Sequence, residues 1–317
     1  MENRPIYGIG HTSQLIPPNP GRKYFDHQGH PFEPQLDEFQ MRTAWWLAEA
    51  ALLAYCESEF VKIQFENADF KFKAHYYAKK TDTDCYVAFT DNYVIVAFRG
   101  TEFISFNEWL WNFKFMVKDW PNGGKVHSGF NQGLKLVWEE GGLGRDLAKL
   151  RDEDGKNRTF WFTGHSLGAA IATLAADRFY HESKEKTEQD FIGLYTFGSP
   201  RVGNKDFKKD FFIKTAFRFV NNRDIVTRIP PWFLFRYTHV GELKYIDRKG
   251  IIHKKAPGLV RRFIDRCLGP VWGRREDENR KYLLTFFVYL FLEPGIDHAP
   301  VFYSNRIWNF NLKNSDF

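Results

Sequence analysis

The sequence predicts an α/β protein with a central, mostly parallel sheet flanked by helices. Short segments typical of buried strands recur along the chain, and segments with helical periodicity separate the later ones. Because strands that alternate with helices pair in parallel, this order favours helices on both faces of one sheet. A length of 317 residues allows one such domain with insertions, so we predict a single domain over 1–317.

The first half of the chain is predicted to contain a helix followed by a run of strands. A Pro-, Gly- and His-containing arm at 1–35 leads into a helix at 36–56 with a broad apolar face. β-Branched and aromatic residues predict strands at 60–65, 70–78, 85–90 and 93–98. Asp91-Asn92 is a plausible tight turn between the last two of these strands. An aromatic-rich stretch with helical spacing follows at 103–117, and then a helix at 127–147.

In the second half of the chain, predicted strands and helices alternate more regularly. Strands are predicted at 159–164, 193–200, 217–222 and 238–246, with helices at 167–180 and near 204–213. An insertion at 248–294 then interrupts the pattern. Between 248 and 281 it carries eleven Lys or Arg against four Asp or Glu, so that the net charge of +6 is concentrated there. Such a basic block suits anionic lipid, nucleic acid or simple solubility.

Composition excludes several classes of protein. Apolar residues make up 43% and charged residues 26%, which excludes a disordered or collagen-like chain. Aromatic residues make up 18%, enough that some rings are expected to face an apolar partner. Three distant cysteines argue against a disulfide framework and a structural zinc site, and they favour a reducing compartment.

The same sequence predicts no secretory signal and no membrane-spanning helix. The N-terminal stretch lacks an apolar core behind a basic start. The most apolar run, at 282–292, would span about 16 Å as a helix against about 30 Å of hydrocarbon. We therefore expect a cytoplasmic or peripheral membrane protein.

A nucleophilic serine is indicated by Gly164-His165-Ser166-Leu167-Gly168, which fits the G-x-S-x-G nucleophile elbow. An apolar strand precedes the motif and an Ala-rich helix follows it, as the elbow requires. The glycines let the strand and helix approach closely, while the helix N-terminus offers N–H groups to a developing oxyanion.

A serine nucleophile needs a base and an orienting acid. Asp224 is the favoured acid, because it follows a strand and lies at the edge where active sites of such sheets gather. Asp206 and Asp210 belong to a charged helix and are expected to be solvated. Spacing along the chain favours His298 as the base. His239, which lies within a strand pattern, is the alternative, and His253 lies in the basic insertion.

Six stretches in order give the chain a resemblance to the class 3 lipase family, the fungal-type lipases of the α/β-hydrolase fold. They are VIVAFRGTE (94–102), VHSGF (126–130), FTGHSLGAAIATLAA (162–176), YTFGSPRVGN (195–204), FVNNRDIVTRIPP (219–231) and THVGE (238–242), with Asp297-His298 and Tyr303 after them. The resemblance implies a triad of Ser166, Asp224 and His298. It also implies an oxyanion hole formed by Thr101 and the backbone N–H of Leu167, with Arg99 holding the loop.

The resemblance further implies a lid helix at 103–120. The alternative for this apolar stretch is a fully buried helix. The insertion at 248–294 has no counterpart in the family. Its basic amphipathic stretch at 258–269 and the apolar run after it look like an interfacial anchor or an acyl-binding wall, with a buried helix and a solvated basic flank as the alternative.

The expected activity is that of a serine hydrolase of carboxylic esters, most plainly a lipase acting on acylglycerols at a lipid interface, with no metal or organic cofactor. Alternatives are a phospholipase A1 or galactolipid acyl hydrolase, which the basic block favours, and a short-chain esterase. A membrane-surface binding protein is the non-enzymatic alternative. Nucleic-acid binding is disfavoured, since the basic block lacks the motifs of the usual modules. The sequence leaves the oligomeric state open.

Overall fold

The computed structural model describes residue 4 and residues 22–25, 29–36, 38–101, 116–152, 156–183, 191–233, 235–258, 260–262, 265 and 297–314. Among these residues, no helix combines the length and the apolar character needed to cross a bilayer.

A mixed eight-stranded sheet forms the centre of the described structure. In chain order the strands are β1 (Lys71–Ala78), β2 (Thr83–Phe89), β3 (Tyr93–Phe98), β4 (Val117–Asp119), β5 (Lys125–His127), β6 (Thr159–His165), β7 (Ile192–Phe197), β8 (Thr215–Asn221), β9 (Glu242–Ile246) and β10 (Ile252–His253). The sheet has the order β1-β2-β3-β6-β7-β8-β9-β10, and β4 pairs with β5 in a separate hairpin. Neighbours from β3 to β9 are parallel, whereas β1–β2, β2–β3 and β9–β10 are antiparallel. The predicted mostly parallel central sheet is confirmed.

Helices cover both faces of this sheet. They are α1 (Met41–Leu53), α2 (Ser58–Glu66), α3 (Ser128–Lys135), α4 (Leu143–Asp152), α5 (Leu167–Ser183), α6 (Lys205–Lys209) and α7 (Pro300–Asn314). Strand β3 shows why two layers are needed. Its residues alternate between a core with α1, α2 and α7 on one face and a core with α3, α4 and α5 on the other. Because both faces of β3 are buried, its sequence is almost continuously apolar.

Helix α2 and the segment at 127–147 differ from their predictions. The predicted strand at 60–65 is helix α2, where Val61 and Phe65 are the buried residues. These two residues are four positions apart, and side chains at that spacing lie on the same face of a helix. The predicted helix at 127–147 is divided: α3 continues into a π-helical turn at Leu136–Glu140, and α4 begins after Gly141-Gly142. Gly142 has a φ of +83°, a conformation that ends a helix.

Other predictions fall partly outside the described residues. Positions 103–115 of the predicted lid lie outside them, and 117–119, predicted as helix, form strand β4. Of the insertion, residues 252–253 form β10 and 260–262 are helical, whereas 266–294 lie outside. The helix predicted near 204–213 is only Lys205–Lys209 long. The extents of the domain, the lid and the insertion remain predictions.

Candidate active site

Ser166 stands at the junction of β6 and α5. Its φ of +57° is the left-handed conformation that turns the chain sharply between strand and helix. A Cβ added to Gly164 would lie 2.5 Å from the carbonyl carbon of Gly168, and one added to Gly168 would lie 2.7 Å from the carbonyl carbon of Arg99. A larger residue at Gly164 would push α5 away from β6, and one at Gly168 would push α5 away from the chain at the end of β3. The elbow geometry therefore explains both glycines of the motif.

Three predicted site residues form one hydrogen-bonded chain. The Nε2 atom of His298 lies 2.8 Å from Ser166 Oγ, and its Nδ1 atom lies 2.8 Å from Asp224 Oδ2. Asp224 follows β8 and His298 precedes α7, so His298 meets Ser166, 132 positions away, and Asp224, 74 positions away, at the carboxyl ends of the parallel strands. All three side chains are buried.

The two other candidate histidines have different partners. His239 Nε2 lies 2.8 Å from the carbonyl oxygen of Thr227, and His253 Nε2 lies 2.9 Å from Asp247. His239 was predicted within a strand, but β9 begins only at Glu242, so the histidine lies in the preceding loop. Asp206 is exposed on α6. Of the histidines weighed from the sequence, His298 is the one that contacts Ser166.

The Asp224 carboxylate is fully buried and held by donors on both oxygens. The backbone N–H of Val226 donates to Oδ1 at 2.9 Å, and the Tyr303 hydroxyl donates to Oδ2 at 2.5 Å. Burial, and then the Asp224 carboxylate, raise the pKa of Tyr303 well above its usual value. The phenol therefore stays protonated and acts as a donor. Its oxygen accepts in turn from the backbone N–H of Asn221 at 3.0 Å.

His165 connects the elbow to the loop that carries His298. Its Nε2 atom lies 2.6 Å from the carbonyl oxygen of His298, and its Nδ1 atom lies 2.8 Å from the Tyr55 hydroxyl. Burial, and then the nearby His298, lower the pKa of His165 well below its usual value. A carbonyl can only accept, so the proton of the neutral ring is on Nε2 and Tyr55 donates to Nδ1.

The roles of Tyr55, His165 and Tyr303 were not predicted from the sequence. Tyr303 belonged to the motifs behind the family resemblance but received no function. His165 occupies the variable position of G-x-S-x-G, where the pattern itself places no demand. Tyr55 lies 110 residues away from it, and no local pattern indicates their contact.

The predicted oxyanion-hole residues flank Ser166. A Cβ added to Gly100 would lie 3.1 Å from Ser166 Cβ, which brings the loop holding Thr101 against the serine. Leu167 is the first residue of α5, where a backbone N–H has no carbonyl partner one turn earlier. The Arg99 Nε donates to Asp84 at 2.5 Å and its Nη2 donates to Asp82 at 2.7 Å, as expected for a side chain that holds the loop.

Several exposed apolar side chains follow Asp224 along the chain. The loop after it exposes 71% of Trp232, 67% of Phe233 and 56% of Phe235. Ile225 and Met116 add further exposed apolar surface. The Tyr237 hydroxyl donates to the Met116 carbonyl oxygen at 3.3 Å and joins the two segments. We call this set the aromatic rim: Met116, Ile225, Trp232, Phe233 and Phe235.

The arrangement suits nucleophilic attack by a serine. The hydrogen-bonded chain can withdraw the hydroxyl proton, and α5, which begins next to Ser166, has N–H groups in its first turn that are without an intrahelical acceptor and could bind an oxyanion. Within the described ranges, no group of three or more His, Cys, Asp or Glu side chains is placed to hold a metal ion.

Comparisons with known proteins agree with this geometry. The family described as Lipase (class 3) matches residues 95–234. The triacylglycerol lipase OBL1 of Ricinus communis is 26% identical over 282 residues, which cover 68% of this chain and 53% of the lipase. The secreted mono- and diacylglycerol lipase 1 of Fusarium solani is 38% identical over 178 residues, covering 53% and 49%. This chain thus spans about half the length of these curated relatives.

A solved structure gives the same result. The triacylglyceride lipase of Rhizomucor miehei superposes with a TM-score of 0.55 at 28% identity, covering 64% of this chain and 78% of the lipase. The strand order, the elbow and these matches together show that the chain has the α/β-hydrolase fold and that its residues 95–234 are similar to class 3 lipases.

Proposed function

We propose that the protein hydrolyses carboxylic esters through an acyl-enzyme on Ser166, and that its substrates are acylglycerols. The observation that carries the proposal is the hydrogen-bonded chain from Ser166 Oγ through His298 to Asp224, with both distances at 2.8 Å. Neutral His298 donates its Nδ1 proton to Asp224, which leaves Nε2 free to accept the serine proton.

The reaction follows from these positions. Ser166 Oγ attacks the ester carbonyl carbon as His298 Nε2 takes its proton, and Asp224 stabilises the resulting imidazolium. The N–H groups of Leu167 and Thr101, and the Thr101 hydroxyl, bind the oxyanion; one such donor contributes about 3–4 kcal/mol to the transition state. The imidazolium then protonates the leaving alkoxide. Water, activated by the same histidine, hydrolyses the acyl-enzyme.

The aromatic rim supports a lipid surface as the place of action. Trp and Phe rings side by side are typical of protein that enters the boundary between head groups and acyl chains. The rim begins at Ile225, beside Asp224, so a protein seated on it would present the catalytic loop to lipid. Exposed Arg228 and Arg236 lie in the same segment and suit anionic head groups. The names of the Ricinus and Fusarium relatives favour acylglycerols.

A phospholipase A1 or galactolipid acyl hydrolase is the second candidate. The basic block at 248–281 and the two arginines beside the rim favour a negatively charged lipid surface. Dispersed triacylglycerol, phosphatidylglycerol and galactolipid, supplied in parallel at equal surface area, discriminate between these substrates. The proposal predicts the fastest acyl release from the acylglycerol.

A p-nitrophenyl ester series from acetyl to palmitoyl tests the proposal. Each ester is supplied below and above its dispersion limit, with Ser166→Ala as the control. A lipase gives its highest rate on long chains, with an increase once an interface forms. A maximum at acetyl and butyryl without that increase would indicate a short-chain esterase. Ester turnover that persists in Ser166→Ala would refute the mechanism. Lipid binding without turnover by the wild-type protein would indicate a membrane-surface binding protein.

The rim has its own test with a matched control. The double substitution Trp232→Ser, Phe233→Ser should reduce turnover of dispersed long-chain ester while leaving turnover of monomeric butyryl ester unchanged. Phe212→Ser is the control, because Phe212 is 49% exposed and contacts Tyr180 near the far end of α5 from Ser166. Equal losses on both substrates would show that the rim supports the fold rather than the contact with lipid.

A further inference from the structure

Glu49 is a fully buried carboxylate on α1. Two arginines of the N-terminal segment pair with it. Arg22 Nη2 lies 2.5 Å from Glu49 Oε1, and Arg4 Nη1 lies 3.0 Å from the same oxygen. The Nε atom of Arg22 also donates to Glu49 Oε2 at 3.3 Å. Arg22 therefore binds both carboxylate oxygens and fastens the N-terminal segment to α1.

The same ion pair also binds α7. The Ser304 hydroxyl donates to Glu49 Oε1 and accepts from Arg22 Nη2 at 2.8 Å. Arg22 Nη1 donates to the side-chain oxygen of Asn305 at 2.9 Å. Ser304 and Asn305 are both fully buried. We call Arg22, Glu49, Ser304 and Asn305 the α7 clamp, because they join the N-terminal segment, α1 and α7 at one point.

The part of α7 that the clamp holds also belongs to the candidate active site. Ser304 directly follows Tyr303, whose hydroxyl donates to Asp224 at 2.5 Å. His298 lies two residues before α7 begins at Pro300. Successive side chains on a helix point about 100° apart, so Ser304 can face α1 while Tyr303 faces Asp224. A displacement of the start of α7 would therefore move the Tyr303 hydroxyl away from Asp224.

Apolar packing alone defines the position of α7 along α1 only loosely. The two helices pack through side chains such as Trp45 and Trp308, whose rings lie 4.8 Å apart. Apolar contacts are non-directional, whereas charge-assisted hydrogen bonds require one arrangement of donors and acceptors. A buried ion pair adds little net stability in comparison with apolar residues, and fixing a register is its best-attested use. The clamp is therefore suited to setting the position of α7.

We propose that Arg22 and Glu49 are positioning residues for the catalytic acid: through the clamp they hold the start of α7 so that Tyr303 keeps its hydrogen bond to Asp224. The inference rests on the proposed function, which makes Asp224 the catalytic acid. Loosening the clamp should act in the same direction as loss of the Tyr303 hydroxyl. A carboxylate with a weaker donor attracts the protonated imidazole of His298 more strongly, so the ring should titrate at a higher pH.

NMR titration of the His298 ring tests the clamp without reference to turnover. Glu49→Gln removes the charge of the clamp. Ser304→Ala, the milder variant if Glu49→Gln does not fold, removes the hydroxyl that joins the ion pair to α7. In both variants we expect the ring to titrate at a higher pH than in the wild-type protein. Loss of the Glu49 charge by itself would move the titration to lower pH, since an anion favours the protonated imidazole. On monomeric butyryl ester, kcat should fall by about tenfold at unchanged KM.

Two further variants separate positioning from a general loss of stability. Tyr303→Phe already lacks the hydroxyl through which the clamp acts, so adding Ser304→Ala to it should not change the titration further. Asp177→Asn is the matched control, because Asp177 is a buried carboxylate that accepts hydrogen bonds from Trp120 and Asn122 instead. This control should titrate like the wild-type protein.

The outcomes for the clamp and for the proposed function are distinct. A His298 ring that titrates at the same pH in the wild-type protein and in folded Ser304→Ala would overturn the clamp proposal. So would a shift that Ser304→Ala still causes in the Tyr303→Phe background. Wild-type protein without Ser166-dependent ester turnover would refute the proposed function, whereas the titration would still report whether the clamp positions Tyr303.

Discussion

Tyr303→Phe removes one oxygen atom from the centre of the proposed site. That oxygen donates a hydrogen bond to Asp224 Oδ2 and accepts one from the backbone N–H of Asn221. The ring remains in the core between Phe197 and His165, so the substitution leaves only a small void. Asp224 keeps its hydrogen bonds from Val226 and His298. The variant therefore isolates the contribution of the phenol to the catalytic carboxylate.

The expected magnitude follows from the two lost hydrogen bonds. A hydrogen bond to a charged group contributes roughly 1.5–3 kcal/mol, and the Asn221 N–H is left buried without its acceptor. We expect the free energy of unfolding to fall by about 2–4 kcal/mol. The carboxylate, with one donor fewer, attracts the protonated imidazole more strongly. Activity should consequently decline at a higher pH on the acid side of the pH profile.

Urea unfolding and the pH profile of kcat/KM on butyryl ester measure these two effects. Tyr195→Phe is the matched control, since Tyr195 is a fully buried tyrosine that accepts a weak 3.4 Å hydrogen bond from Gln40 N–H far from Asp224. It should lower stability by about 1 kcal/mol or less and leave the pH profile unchanged. A Tyr303→Phe profile that coincides with the wild-type profile would refute the assignment of Tyr303 as a positioning residue for the catalytic acid.

Two further predictions concern stability in acid and the oxyanion hole. Burial alone would raise the pKa of Glu49, but Arg22 and Arg4 beside it lower the pKa from its usual 4.5 to about 2. The ionised Glu49 therefore contributes about 3 kcal/mol to the free energy of unfolding above pH 4.5, and this contribution is lost as the pH falls toward 2. In urea unfolding between pH 5 and 3, Glu49→Gln should abolish the dependence of the free energy of unfolding on pH that Glu49 causes. Thr101→Val should lower kcat by about 10²-fold through loss of the hydroxyl, and Thr101→Ser should restore it; an unchanged kcat in Thr101→Val would exclude the hydroxyl from the oxyanion hole.

The parts of the fold that local pattern controls could be predicted from the sequence. Strand β3 was placed at its observed ends because apolar residues run without interruption between turn residues. The junction of β6 with α5 was equally plain, since the glycines, the serine and the Ala-rich helix all indicate one turn. Order along the chain then placed Asp224 and His298 near that turn, and the structure brings these side chains into contact with Ser166 or each other.

The rest depends on contacts between distant segments. Helix α2 contains a run of residues with strand propensity, and only the burial of Val61 and Phe65 against the core selects the helix. The contact of Tyr55 with His165 joins the end of α1 to the elbow, which requires the assembled sheet.

Covalent labelling with a p-nitrophenyl alkylphosphonate tests the central claim, that His298 activates Ser166, most directly. Attack by Ser166 Oγ on phosphorus displaces p-nitrophenolate, and intact-mass and peptide analysis locates the adduct. We predict one p-nitrophenolate released per chain, an adduct on Ser166, no labelling of Ser166→Ala, and labelling of His298→Ala slowed by about 10³-fold or more. Ser199→Ala should label like the wild-type protein. An adduct on another residue, or equal labelling rates for the wild-type and His298→Ala proteins, would show that His298 does not activate Ser166.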